Sequence, residues 1–217
     1  MPMIWSQYVV LGALLYCFGA FLAHFLRLLR LGKPRDLSRK SGSVGRGVAY
    51  ANTVAMMPSQ KESAKMHLPT YMSGIVYHLG TFLSLLLMVL LFFHPVVDFL
   101  IDYTAVTGIL VGCLSVSCAF GFGLFFKRLF SSALRPLSNL DDYLSNLIVT
   151  CFQLFTLLYL LCLDGTRMLN AYNLVTALML LYMPMGKLRH VLYYFSARFH
   201  LGFFYGWRNV WPPQKEK

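Results

Sequence analysis

Acidic side chains are scarce in this chain. There are eight Asp and Glu among 217 residues, against 19 Lys and Arg, and all charged residues together make up only 12%. An ordinary soluble domain carries about 25%, so the shortage excludes a soluble globular fold. Cysteine is also thinly used. Cys17, Cys113, Cys118, Cys151 and Cys162 lie in apolar runs with no CxxC, no CxxCH and no pairing pattern. That argues against an iron–sulfur cluster, a c-type haem or a disulfide framework within the chain. The five read instead as small buried apolar residues. What the chain has in quantity is apolar sequence: 58% of residues are hydrophobic and the mean hydropathy is +0.60.

The apolar runs predict an all-α integral membrane bundle of five transmembrane helices in one domain spanning residues 1–217. The first helix, about 4–29, is too long for the apolar core of a signal peptide and lacks a basic leader, so it reads as retained. It ends in Arg27, Arg30, Lys33 and Arg35, and a polar, basic loop of about 30–68 follows. Pro69 suits the first turn of a second helix, about 69–94. An acidic turn with Asp98 and Asp102 leads to a third, about 103–126. There Gly108, Gly112, Ser115, Ala119 and Gly123 recur every three or four residues and would let a neighbour approach closely. Ser138 with Asp141 reads as a helix start, giving a fourth helix of about 139–163. After a turn with Asp164, Gly165 and Asn170, the fifth covers about 171–199. The tail, 200–217, mixes Phe203, Phe204, Tyr205, Trp207 and Trp211 with bases, as expected of a segment in the headgroup region or against a partner.

Of the 19 bases, only Arg167 falls in a loop on the far side from the first loop. The positive-inside rule therefore puts the amino terminus outside and the first loop, third loop and carboxyl terminus in the cytoplasm. The net charge of +11 is thus explained by topology and by membrane lipid or acidic partners on that face. It does not indicate nucleic acid.

Histidine inside a membrane helix is uncommon and calls for a reason. His78 lies about nine residues from the cytoplasmic start of helix two, and His190 about nine from the cytoplasmic end of helix five. At 1.5 Å per residue both sit roughly 13 Å deep. Two histidines at one depth on different helices can ligate a haem from both faces; each also has a plainer use, a hydrogen bond across helices. Gly74, one turn before His78, and Gly80, two residues after it, would leave a flat space for a porphyrin. Lys187 and Arg189 could neutralise propionates, and Pro184 would bend the helix ahead of His190. His24, near the cytoplasmic end of helix one, suits either a quinone pocket, a propionate contact or an interhelical bond. Gln153 suits a quinone or haem contact, or interhelical bonding. His67 and His200 read as interfacial. His94, close to Asp98 and Asp102, suits a helix-ending loop or an outward proton path.

The segments Pro184-Met185-Gly186-Lys187-Leu188-Arg189-His190 and His78-Leu79-Gly80, with the acidic start Leu137 to Leu144 of helix four, resemble the gamma subunit of respiratory nitrate reductase. Its wider five-helix cytochrome b family includes subunits of heterodisulfide-reductase-like and sulfur-metabolism complexes. The resemblance implies His78 and His190 as axial ligands of a cytoplasmic-side haem b in a prokaryotic cytoplasmic membrane. The family's second haem would take ligands at positions held here by Met88 and Tyr172, so one haem b is expected.

On this reading the chain is not catalytic alone. It passes electrons between membrane quinone and an iron–sulfur subunit, with a larger catalytic subunit as a further partner on the cytoplasmic face. The alternative is a haem-free membrane anchor or assembly subunit. A small transporter, which would call for charged or broken helices at midplane, has only Pro184 in its favour.

Overall fold

The computed structural model describes residues 3–32, 35–163 and 165–213, without the side chains of Ser63 and His94. Lys33, Asp164, the His94 side chain and the last four residues of the tail therefore lie outside the described residues. Among the described residues all regular structure is helical: α1 (Trp5–Arg30), α2 (Val44–Asn52), α3 (Glu62–Met66), α4 (Leu68–Leu90), α5 (His94–Asp102), α6 (Thr104–Phe130), α7 (Leu140–Leu161), α8 (Thr166–Tyr182) and α9 (His190–Trp207). Helices α1, α4, α6 and α7 are each long and apolar enough to cross a membrane; the count becomes five if α8 and α9 together make one broken span.

Several boundaries differ from expectation. The acidic turn at 98–102 is the end of a short helix, α5, with Pro95 in its first turn. Helix α7 is capped one residue later than expected: Asn139, not Ser138, is the N-cap. The Asn139 side chain accepts from the Asp142 N–H at 3.1 Å, and the Asp142 carboxylate accepts from the Asn139 N–H at 3.0 Å, satisfying two of the backbone donors a helix start leaves open.

The stretch expected as a fifth span is not one continuous helix. Helical geometry stops after Tyr182, a 3₁₀ turn covers Lys187–Arg189, and helix resumes at His190. Pro184 has no N–H to continue the ladder and its ring crowds the preceding turn. Gly186 lies so close under Tyr182 that a Cβ there would come within 2.4 Å of its ring.

The described chain divides into two compact units: Met1–Phe18 with Pro69–Leu188, and Gly19–Leu68 with Arg189–Lys217. In the first, α7 is the central helix, half buried along its apolar window where α4 and α6 are under a third buried. Its inward face carries polar residues, and Gln153 is their hub. The Gln153 carbonyl accepts from Ser117 of α6 at 2.7 Å, and its amide donates to Thr81 of α4 at 2.7 Å and to the Tyr77 carbonyl at 3.2 Å. In an apolar interior an unpaired amide costs about 1–3 kcal/mol; here each end is paired. Of the two uses open to Gln153, the structure shows interhelical bonding. At the other end of the unit, Ser6 of α1 donates to Asn170 at 2.7 Å and accepts from Asn173 at 2.9 Å, tying α1 to α8.

Helix α6 packs with a face other than the one its small residues suggest. Leu114, Ser117, Cys118 and Gly121 are buried, whereas Gly108, Gly112, Ser115, Ala119 and Gly123 are all exposed. Close approach occurs at Gly121, where a Cβ would meet Tyr77 and Thr150 at 2.7 Å. The cysteines are also mixed. Cys17 and Cys118 are buried and Cys151 is half-buried, but Cys113 and Cys162 are exposed.

The second unit contains what the sequence suggested was loop and tail. Two residues beyond α1 comes Gly32, whose φ of +76° suits a residue without Cβ. Helix α2 then lies backbone to backbone on α9. A Cβ on Gly47 would fall 2.4 Å from the Gly202 carbonyl oxygen, one on Gly202 2.5 Å from Val48 Cα, and one on Gly206 2.8 Å from the Ser43 carbonyl oxygen. The tail rings fold onto this pair. Trp207 donates from its indole to the Ser38 carbonyl at 2.8 Å. Trp211 packs on Tyr50 and Tyr205, with ring centroids 5.5 and 4.6 Å away. Arg198 donates to the Ala51 carbonyl.

Candidate functional site

Helix α4 positions His78 through its opposite face. Tyr77, Gly80, Ser84, Leu87 and Met88 are buried. Gln153 and Thr81 both donate to the Tyr77 carbonyl, and the Tyr77 hydroxyl donates to the Asn146 carbonyl at 3.0 Å. With that rotation fixed, His78, 100° further round the helix, is exposed. It lies between Tyr77 and Phe82, with ring centroids 6.2 and 6.5 Å away. Gly74, one turn before, has open space where a Cβ would be.

Gly80 lines a groove of about 430 Å³ with Val76, Leu79, Gly112, Cys113 and Val116, and it also lies against α6. A Cβ there would sit 2.0 Å from Ser117 Oγ and 3.3 Å from Gln153 Oε1, so its missing side chain serves the α4–α6 contact.

In the second unit, His190 opens the first turn of α9, with Arg189 as N-cap residue, and both are exposed. His24 is half-buried on α1 and shares a 3.1 Å hydrogen bond between its Nδ1 and the Tyr193 hydroxyl, the rings meeting edge-on at 5.8 Å. Tyr193, one turn after His190, escaped the sequence reading; an aromatic three residues from a histidine is too common to stand out.

Lys187 is ion-paired within the first unit. Its ammonium lies 2.7 Å from Asp142, which also pairs with Arg128 at 3.0 Å. Beside it, Tyr182 donates to Asp141 and lies 3.1 Å from the Ser145 hydroxyl. This cluster ties the end of α6, the start of α7 and the segment after α8 together. Lys187 is thus part of a structural ion-pair cluster, while Arg189 remains the exposed base beside His190.

Met88 and Tyr172, which occupy the positions of a second ligand pair, are core residues at 7% and 3% exposure. Tyr172 stacks on Tyr159 and Phe152, with centroids 5.3 and 6.5 Å apart. His67 is exposed, and His200 lines an apolar groove between α1 and α9.

Outside the spans, Asp36 is held below the ordinary carboxylate range. The Ser38 hydroxyl and N–H donate to it, and the Arg208 guanidinium adds to the effect. Arg208 in turn lies over the Phe204 ring at 3.7 Å.

Among the described residues no three His, Cys, Asp or Glu side chains gather as a metal-ion site; axial ligation of a haem needs only two imidazoles. No family model matches the chain, and neither curated proteins nor solved structures give a match.

Proposed function

We propose that the chain is the membrane-anchoring cytochrome b subunit of a respiratory complex, with His78 and His190 as axial ligands of one haem b. The observation that carries the reading is the exposed face of α4. The Gln153 network turns His78 outward, and Gly74 leaves the position one turn before it open. The donor chemistry fits, since two exposed imidazoles are the ligand set of a low-spin b haem. Such a group supplies one-electron transfer between quinone and an iron–sulfur partner.

The remaining parts are protein chemistry. Arg189 supplies positive charge beside His190. His24 and Tyr193 brace α1 against α9 one turn further on. The basic ends of α1 and α6, with Arg27 and Arg30, Lys127 and Arg128 in their last turns, favour a cytoplasmic position for that side. The amino terminus would then be outside, the membrane a prokaryotic cytoplasmic membrane, and the partners a cytoplasmic iron–sulfur subunit with a larger catalytic subunit.

Two observations favour the alternative of a haem-free anchor or assembly subunit: Gly80 is filled by Ser117 and Lys187 is paired with Asp142. Reduced-minus-oxidised spectra of the purified chain separate the readings. The cytochrome reading expects the α-band of a low-spin b haem, lost in His78→Ala and in His190→Ala. A colourless wild-type protein selects the anchor.

A further inference from the structure

We infer that the second unit holds an anionic phospholipid, its acyl chain in the groove between α1 and α9 and its phosphate at Arg35. The groove has a volume of about 500 Å³. Phe25 and Leu28 of α1 face Phe195 and Phe199 of α9 across it, and Gly32 and His200 mark one end. Beyond that end, three residues after Gly32 and one turn after His200, lies a smaller cleft of about 260 Å³. It is lined by Arg35, Asp36 and Ser38 together with Phe203, Phe204 and Arg208. The cleft's lining follows the groove's along both chain segments and is the part that carries charged side chains, which is the pattern of an amphiphile and not of a wholly apolar guest.

The sign of the headgroup follows from the charges at the cleft. Asp36 is the acid there, and its carboxylate is already matched by the Arg208 guanidinium, with Nη2 to Oδ1 at 3.1 Å, and by Ser38. That leaves Arg35 exposed on the cleft, with exposed Arg39 and Lys40 following. The charge left over is positive, so the complementary headgroup is anionic. Position agrees: the groove runs along the last turns of α1, a helix apolar enough to span a membrane, and the cleft begins where that helix ends, at headgroup level.

The test uses the full chain reconstituted in nanodiscs of equal dioleoyl phosphatidylglycerol and dioleoyl phosphatidylcholine, with retained lipid quantified after transfer to detergent. Phosphatidylglycerol should be retained about fivefold over phosphatidylcholine, the factor one base near an anionic headgroup supplies. Arg35→Gln should bring the ratio to about one, Arg35→Lys should hold it, and Arg46→Gln, on α2 outside the groove, should leave it unchanged. Leu28→Trp, which fills the groove, should lower retention of both lipids. Equal retention by the wild type, or a preference that survives Arg35→Gln, would overturn the assignment. So would displacement of bound phosphatidylglycerol by a neutral prenyl quinone. Helix content by circular dichroism, checked for each variant, separates loss of site from loss of fold.

Discussion

Asp142 binds Lys187 at 2.7 Å while its own carboxylate caps the helix it begins. One side chain therefore closes the start of α7 and holds the segment in which the helical path is interrupted. Lys187→Met should leave any haem absorbance unchanged and lower the thermal midpoint by the equivalent of about 0.5–1 kcal/mol, the range for a partly exposed ion pair. Asp142→Ala, which also removes a cap, should cost about 1–2 kcal/mol more. Thermal unfolding in detergent, followed by circular dichroism, measures both.

Gly74 and Gly80 have opposite sensitivities. Gly74→Ala meets nothing and should stabilise α4 by about 0.5–1 kcal/mol, because alanine loses less backbone freedom. Gly80→Ala forces a Cβ against Ser117 and should cost about 1–3 kcal/mol. Adding Ser117→Gly should recover little of that loss, because it also removes the donor to the buried Gln153 carbonyl. Unfolding midpoints of the two single variants and the double variant give the answer.

The α2–α9 contact has no space for a side chain on either partner. Gly202→Val should part the two helices and expose residues 35–60 to protease. Limited proteolysis should then cut this segment about 5- to 150-fold faster, as expected when an overpacking penalty of about 1–3 kcal/mol falls on the local opening equilibrium.

Asp36 titrates lower in the folded chain than the ordinary value of about 3.9. A depressed carboxylate contributes stability that is present above the ordinary value and lost as pH falls through the depressed one. Below about pH 4, protease sensitivity of residues 35–60 should rise in the wild type. In Asp36→Asn it should be raised already at neutral pH and change less on acidification.

Much of the helical layout could be read from the chain, and the reasons for the misses are physical. Long apolar runs reveal α1, α4, α6 and α7 because a membrane span leaves little choice of length or composition. The interruption after Tyr182 was visible as Pro184, yet proline alone does not separate a bend from a break. The added factor is Gly186 under the Tyr182 ring, a local contact four residues along the chain that depends on the ring's orientation. The small residues of α6 were correctly seen as a stripe, but spacing does not say which side a neighbour takes, and Ser117 with Gly121 took it. Residues 35–60 looked like a loop because they are polar. Their order comes from Gly47 meeting Gly202 and Gly206, a pairing between segments about 155 residues apart. At the candidate site, His78 and His190 stand out in the sequence as histidines within apolar helices, whereas the contacts of Gly80 and Lys187 depend on Ser117 and Asp142.

Haem content per polypeptide tests the central claim most directly, by pyridine haemochromogen absorbance against amino-acid analysis of the purified chain. The account predicts one haem b per chain, reduced to none by His78→Ala or His190→Ala. No haem in the wild type would contradict ligation by these residues, and two per chain would contradict the packing roles given to Met88 and Tyr172.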